Sequence, residues 1–224
     1  RPADSTLLQY VLLFGDASYD YKGRLSPQQN WVPAYESPSS MSIKTSFVSD
    51  DFYGYLDPGE GTNLAAVTLD LGIGRIPVNS LEEAQGVVAK IYRYADPAQS
   101  LGPWRQRLNF VADDVDEDWE QILTLVADRI AERVDTQHAE FDVRKLFADG
   151  YAQVSSAGNQ SYPKLREELL RSVDEGHLIT TYIGHGGEVN WASEDILQIE
   201  DCRTFSNRVK LPLFITVTCE FSRY

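Results

Sequence analysis

The sequence predicts an α/β fold in which a parallel or mostly parallel β-sheet is covered by helices on both faces. Near-continuous apolar runs such as YVLLF and LPLFITV are typical of buried parallel strands. Segments whose apolar residues recur every three or four positions lie between these runs, as expected of helices that connect parallel strands. No internal repeat or low-complexity tract is present. We therefore expect one layered α/β domain over residues 1–224.

The first half of the chain contains two predicted strands, a long irregular segment and a helix. YVLLF predicts a strand that runs into a polar loop at Gly15 and Asp16. Residues 22–63 are irregular, and because loops of this length are uncommon without a function, we expect an excursion with one short strand near a site or a partner. LDLGIGRIPV predicts the second strand. NSLEE then opens a helix that DPAQSLGP ends.

The second half alternates strands and helices. RLNFVADD predicts a strand that ends in acidic residues, and a helix is expected over about residues 119–134, with Ile122, Leu125, Val126 and Ile130 on its inner face. FDVRKLFADG predicts a weaker strand, and SYPKLREELLRSVDEG predicts a helix with Pro163 near its first turn. HLITTYIGHGG predicts a strand, DILQIEDCRTFSN a short helix and LPLFITVTC the last strand.

Composition excludes several classes of function. The 224 residues include 34 acidic and 20 basic side chains, the formal net charge is −14, and the basic residues form no cluster, so we expect no nucleic-acid partner. No apolar run approaches the roughly 18 to 20 residues of a membrane helix, and RPADST does not read as a signal segment. Two cysteines, Cys202 and Cys219, are too few for a disulfide framework or a zinc site. Because the chain lacks an initial Met and ends soon after Cys219, we expect it to be a piece of a larger protein.

Two reactive side chains follow predicted strands directly. His185 comes after HLITTYIG, and Cys219 comes after FITVT, which is where functional residues lie in open α/β sheets. Taken singly, each has an ordinary interpretation, a surface histidine or a buried structural cysteine. Together a thiol and an imidazole are the minimum equipment for nucleophilic acyl transfer. The glycines on either side of His185 would let the backbone approach a ligand and offer N–H groups to an oxyanion.

The order of these motifs resembles that of the gingipain family of caspase-like (clan CD) cysteine peptidases. The resemblance rests on a Gly-Asp strand end at residues 12–16, a Ser-Asp…Tyr-Gly segment at 49–54, an Ile-Gly-Arg strand end at 73–75 and a His-Gly-x-Glu-x-x-Trp block at 185–191. It covers most of the chain. It implies a caspase/gingipain-like three-layer sandwich, with a mostly parallel β-sheet between two layers of helices.

The resemblance also implies roles for particular residues. Cys219 would be the nucleophile, His185 the general acid, and the N–H groups of Gly186 and Cys219 would stabilise the tetrahedral oxyanion. Asp70 occupies the place of a histidine-orienting glutamate in gingipains, with a side chain one methylene shorter.

Three further residues of this region are candidate substrate-binding residues. Tyr182 and Trp191 either line the substrate groove or serve packing, and Glu188 either faces the site or caps the loop of Trp191. Both interpretations stay open for all three.

Within the family, the CEFSRY ending is more similar to the sortases of the type IX secretion system than to secreted gingipains. Those gingipains carry a second cysteine directly before the nucleophile, where Thr218 stands here. The similarity implies an outer-membrane or cell-surface endopeptidase of a Gram-negative bacterium. Its partners would be exported proteins with a C-terminal sorting domain, anionic lipopolysaccharide as acceptor, and other secretion-system subunits. The alternative is a catalytically inactive peptidase-like scaffold or interaction module of a secretion machine.

The remaining acidic and basic motifs each allow two interpretations. In ADDVDEDWE, Asp113 and Asp114 resemble the acids of metal-dependent phosphotransfer sites, but solvated acids in the first turn of a helix are the favoured interpretation. Catalysis by a thiol and an imidazole needs no cofactor or metal. The family resemblance implies a structural calcium, with residues 49–51 and 57–60 as candidate ligands or as solvated turns. Arg75 either clamps a substrate carboxylate or, as we favour, ties a strand end to a neighbouring acid.

Overall fold

The structure is a computed structural model that describes residues 8–24, 29–38, 41–42, 46–61, 68–156, 158–219 and 221. The chain divides into two compact units, one within residues 1–88 and the other within residues 89–223. No helix among the described residues is long and apolar enough to cross a membrane. The expectation of one domain over residues 1–224 stays a prediction.

The first unit contains a parallel and an antiparallel pair of strands. β1 (Tyr10–Phe14) pairs in parallel with β4 (Gly72–Ile76), so both predicted strands are present. Between them, β2 (Tyr35–Glu36) pairs antiparallel with β3 (Val48–Ser49), and the excursion therefore holds two short strands where one was expected. Parts of that excursion, residues 25–28, 39–40, 43–45 and 62–63, lie outside the described residues.

Arg75 on β4 fastens the loops of the first unit. Its guanidinium binds both carboxylate oxygens of Asp50 at 2.7 Å, and Nη1 donates to the carbonyl oxygens of Gly15 and Val32, also at 2.7 Å. Only 4% of the Arg75 side chain is exposed. The two-pronged contact is the geometry that makes arginine–carboxylate pairs strong, and it confirms the structural interpretation of Arg75. The calcium ion at residues 49–51 stays a prediction.

The second unit is built on a four-stranded sheet in the order β12-β9-β5-β6, in which all neighbours are parallel. Helix α1 (Leu81–Ala95) crosses the boundary between the units along the chain. The elements that follow it are α2 (Pro97–Ser100), β5 (Arg107–Ala112), α3 (Gln121–Gln137), β6 (Asp142–Phe147), β7 (Val154–Ser156), β8 (Asn159–Ser161), α4 (Pro163–Glu175), β9 (Ile179–Ile183), β10 (Asn190–Trp191), β11 (Leu197–Gln198), α5 (Ile199–Cys202) and β12 (Leu213–Val217). The predicted strands and helices are all present, whereas the hairpin pairs β7-β8 and β10-β11 were not expected.

Helices cover both faces of this sheet. Alternate residues of a strand point to opposite faces. Leu108 and Phe110 of β5 pack against Ala131 of α3, whereas Val111, which follows Phe110 and points to the opposite face, packs against α4. The second unit is therefore a three-layer α/β sandwich around a parallel sheet, as predicted.

The inner face of α3 is not the predicted one. Ile122, Leu125, Val126 and Ile130 are 38–52% exposed, so their assignment to the inner face was wrong. The helix instead places Ala127 and Ala131, both fully buried, against β5 and β9. Small side chains allow the helix axis to approach the sheet closely, and the larger apolar residues are left on the flanks.

Candidate active site

His185 and Cys219 occupy equivalent positions after two neighbouring strands. In the parallel register of β9 and β12, Ile183 is paired with Val217. His185 lies two positions after Ile183, and Cys219 lies two positions after Val217. The strands stay together past this pair, because the N–H of Gly184 donates to the carbonyl of Val217 at 3.3 Å. Cys219 is an exposed free thiol, and 44% of the His185 side chain is exposed. The sheet therefore delivers both groups to the same edge, with access to solvent.

The glycine after His185 permits a close approach to the end of β12. A Cβ added at Gly186 would lie 2.5 Å from Oγ1 and 3.2 Å from Cγ2 of Thr218, the residue before Cys219. Real Cβ atoms are not found at the first of these separations, so any residue other than glycine would require a shift of the Thr218 side chain or of the backbone. The sequence HGG thus brings the histidine loop against the strand end that carries the thiol.

Two backbone N–H groups at this edge have no hydrogen-bond acceptor among the described residues. Gly186 bridges to Trp191, with hydrogen bonds made by the flanking pairs, from Gly187 N to Asn190 O and from Ala192 N to His185 O. Neither the N–H of Gly186 nor that of Cys219 bonds to any described residue. These are the two donors that the resemblance assigns to an oxyanion.

The backbone of His185 is held from both sides by buried side chains. Its N–H donates to Oδ2 of Asp113 at 2.8 Å, and its carbonyl accepts from the hydroxyl of Tyr182 at 2.5 Å. The ring of Tyr182 stacks on Trp191, with centroids 4.3 Å apart and planes 3° apart. Since neither aromatic side chain has exposed surface, neither can contact a substrate in this conformation. Tyr182 holds the histidine loop through its hydroxyl, and Trp191 packs on the ring of Tyr182. Glu188 on the same loop is exposed.

The imidazole of His185 has a carboxylate partner that the sequence analysis missed. Nε2 lies 2.9 Å from Oε1 of Glu120, whose Oε2 accepts the N–H groups of Asp116 and Glu117. The N–H of Glu117 and the imidazole of His185 hold the pKa of the Glu120 carboxyl below its usual value. An ionised carboxylate only accepts hydrogen bonds, so Nε2 carries the proton and Nδ1 is the unprotonated nitrogen of the neutral ring.

The indole of Trp119 completes the surroundings of the imidazole. Its ring meets the His185 ring edge-on, with centroids 5.8 Å apart and planes 88° apart.

The spacing of Glu117 and Glu120, an N-cap residue followed three positions later by glutamate, is that of a capping box, and both reciprocal hydrogen bonds are made. That spacing was the one signal in the sequence that Glu120 folds back and is not solvated.

Asp70 lies in the first unit, where its Oδ2 accepts the N–H of Leu56 at 3.0 Å. Carboxylate oxygens of Asp57, Glu60 and Asp70 come within 4.8 Å of one another there, in positions that are exposed or half-buried. The histidine-orienting role of Asp70 stays a prediction, as does a calcium ion at residues 57–60.

Three of the six acidic residues in the run before α3 are buried, so their interpretation as solvated acids was wrong. Asp113, Asp114 and Glu120 are 2%, 7% and 6% exposed. Burial raises the pKa of Asp113 to about 6, and burial together with Asp114 and Asp113 raises the pKa of Glu194 to about 7. The contacts of Asp113 and Glu120 with His185 make this run part of the strand-end site.

The parallel sheet between two helix layers, with a histidine and a cysteine at adjacent strand ends, defines the caspase-like class of α/β fold. The chain belongs to peptidase family C25, whose family model matches residues 1–224. A search of the curated proteins found no match to this sequence.

Three solved structures share the fold. The crystal structure of the Arg-specific cysteine proteinase gingipain R matches with a TM-score of 0.58 and 17% identity, over 98% of this chain and 42% of that one. The complex of Porphyromonas gingivalis RgpB pro- and mature domains matches with a TM-score of 0.59 and 18% identity, over 97% and 43%. A structure described as a protease matches with a TM-score of 0.60 and 16% identity, over 94% and 38%. The chain thus has the gingipain-like fold and spans about two-fifths of the length of these proteins.

Proposed function

We propose that the protein is a cysteine endopeptidase in which His185 and Cys219 form the catalytic dyad. The observation that carries the proposal is the equivalent position of the two residues after paired, neighbouring strands. Membership of peptidase family C25 supports it. The exposed thiol and Nδ1 of the imidazole, which bonds to no described residue, supply the two reacting groups.

In the acylation step, the thiol proton of Cys219 passes to Nδ1 of His185, and the sulfur attacks the carbonyl carbon of the scissile peptide. The carbonyl electron pair moves to oxygen and is stabilised by the N–H groups of Gly186 and Cys219, each worth about 3 kcal/mol in comparable sites. When the C=O re-forms, the C–N bond breaks and the imidazolium gives its proton to the leaving amine. The product is a thioester on Cys219.

The Glu120 carboxylate acts through the histidine. It holds Nε2 and stabilises the imidazolium that exists between the two proton transfers. It is therefore a positioning residue.

We further propose that the thioester is formed on exported proteins, at the junction with their C-terminal sorting domain, as in the PorU-type sortases of the type IX secretion system. Support comes from the CEFSRY ending, of which residues 220 and 222–224 lie outside the described part, and from Thr218 in place of a second cysteine. Water as acceptor would give hydrolysis, whereas an amine on anionic lipopolysaccharide would give transfer. An outer-membrane or cell-surface location belongs to the same proposal.

The experiment is processing of an exported cargo in cells that produce the protein. We expect cargo without its sorting domain with the wild type and with Cys202→Ala, and uncleaved cargo with Cys219→Ala. Mass spectrometry of the new carboxyl terminus distinguishes a free acid from an amide-linked acceptor. Cleavage that survives in Cys219→Ala would contradict the dyad and favour a scaffold role.

A further inference from the structure

Asp113 attaches the histidine loop to the end of β5. It follows Ala112, the last residue of that strand, and its own N–H donates to the carbonyl of Ile183 at 3.3 Å. Its Oδ2 accepts the N–H of His185 at 2.8 Å, and its Oδ1 accepts the N–H of Asp114 at 3.1 Å. Both carboxylate oxygens therefore bind backbone donors, and one of these donors belongs to the residue that carries the imidazole.

The glycine between β9 and His185 permits this attachment. A Cβ added at Gly184 would lie 2.6 Å from Cβ of Asp113 and 2.5 Å from the hydroxyl oxygen of Tyr182. Real Cβ atoms are not found at such separations, so a larger residue would push the loop or these two side chains away. The sequence Ile-Gly-His thus brings the N–H of His185 within reach of the Asp113 carboxylate.

The attachment uses a charge that is costly to bury. Asp113 is 2% exposed, and among the described residues no lysine, arginine or histidine ring pairs with its carboxylate. The titratable groups that face it are the carboxyls of Asp114 and Glu194 and the hydroxyl of Tyr182. Burial, opposed by the hydrogen bond from the N–H of His185 and reinforced by the charge of Asp114, raises the pKa of Asp113 to about 6.

We propose that Asp113 is a positioning residue for acyl transfer, whose ionised carboxylate holds the backbone of His185 at the end of β5. A hydrogen bond to an ionised acceptor is roughly twice as strong as one between neutral groups. The charge of Asp113 fixes the loop, whereas Glu120 binds the ring itself. Groups that lower stability and serve activity are characteristic of functional sites. The inference rests on the proposed function, because the residue that Asp113 positions is the general acid.

Asp113→Asn tests the charge, because it keeps the shape of the side chain and one acceptor oxygen. Folding raises the pKa of Asp113 above its ordinary value of 3.8, so the cost of its ionisation is absent below that value and complete above about pH 6. We therefore expect the Tm of Asp113→Asn at pH 8 to equal or exceed that of the wild type. A lower Tm would show that the charge serves the fold and would overturn the proposal.

The reactivity readout is the rate at which iodoacetamide alkylates Cys219, relative to Cys202 in the same molecule. At pH 8 we expect this ratio to be about fivefold lower in Asp113→Asn than in the wild type. The two proteins should converge at pH 5, where Asp113 of the wild type is protonated. Glu200→Gln, at an exposed acid on α5, is the matched control and should equal the wild type at both pH values.

Hydrogen exchange of the His185 N–H measures the attachment without use of the thiol. We expect its protection, corrected for the intrinsic exchange rate, to fall between pH 8 and pH 5 in the wild type and to be low at both pH values in Asp113→Asn. Asp114→Asn removes the like charge beside Asp113, so the midpoint of the fall should move to lower pH. The wild type and Asp114→Asn keep the test complete if Asp113→Asn does not fold.

The proposal and the proposed function fail in different ways. Unchanged alkylation and protection in Asp113→Asn, a loss that is the same at pH 5 and pH 8, or protection in the wild type that does not change with pH would each overturn the proposal. If the dyad itself is wrong, His185→Ala leaves the alkylation of Cys219 unchanged, whereas hydrogen exchange still reports the contact of Asp113 with the loop.

Discussion

At the residue scale, His185 has partners of two kinds. Asp113 and Tyr182 hydrogen-bond to its backbone, whereas Glu120 hydrogen-bonds to Nε2 of its ring. The backbone contacts fix where the ring is, and the ring contact fixes which nitrogen carries the proton. Loss of Glu120 should therefore change reactivity and pH dependence while the loop stays in place.

The first prediction concerns stability against pH in Glu120→Gln. Folding lowers the pKa of Glu120, so its ionised form stabilises the folded state above its ordinary pKa of 4.5, and this contribution is lost as the pH falls through the lowered value. We expect the wild type to resist urea better than Glu120→Gln at pH 7, and the difference to shrink below pH 4.5. Glu200→Gln should show little difference at either pH, and a gap between wild type and Glu120→Gln that is constant with pH would contradict this reasoning.

At the element scale, the contact between the histidine loop and the end of β12 depends on the absence of a side chain at Gly186. We expect Gly186→Ala to destabilise the protein by about 1–3 kcal/mol, the usual cost of overpacking, and to slow alkylation of Cys219. Thr218→Ala removes both atoms that the new methyl group would meet, so the double variant should recover part of the loss.

Gly150→Ala is the matched control for this contact, because a Cβ there meets nothing within 4 Å. The measurements are thermal unfolding and the alkylation rate of Cys219 in the wild type, Gly186→Ala, the double variant with Thr218→Ala, and Gly150→Ala. Equal behaviour of Gly186→Ala and Gly150→Ala would show that the close approach does not exist.

The packing of α3 against the sheet gives a third prediction. Ala131 is fully buried against Leu108 and Phe110, whereas Ile130, its neighbour in sequence, is 42% exposed. We expect Ala131→Leu to lower the free energy of unfolding by about 1–3 kcal/mol, and Ile130→Ala to change it by less. Urea unfolding distinguishes the two, and a larger cost for Ile130→Ala would restore the helix face predicted from the sequence.

At the scale of the whole molecule, the strands and their order along the chain could be predicted because each is a local apolar run. The nearness of His185 and Cys219 was predictable as well, since neighbouring parallel strands end at a common edge. The inner face of α3 was predicted wrongly, because the larger apolar residues were assigned to the core. The helix lies close to the sheet, and only the small side chains of Ala127 and Ala131 are fully buried there.

Contacts between distant segments could not be predicted in the same way. Glu120 meets His185, and Glu194 meets Asp113 and Asp114, only after the sheet has brought their loops to one edge. In the sequence these acids look like solvated residues of loops and helix starts. Burial decides their role, and burial is a property of the folded chain.

The central claim is that His185 activates Cys219, and the most direct measurement is the rate at which iodoacetamide alkylates each cysteine at pH 7, followed by mass spectrometry. Cys202 is the internal reference, because burial raises the pKa of its thiol and leaves less thiolate at neutral pH. We expect Cys219 to react about tenfold faster than Cys202 or more, His185→Ala to remove this excess, and Glu120→Gln to reduce it. Equal rates for the two cysteines in the wild type, or a Cys219 rate unchanged by His185→Ala, would contradict the dyad.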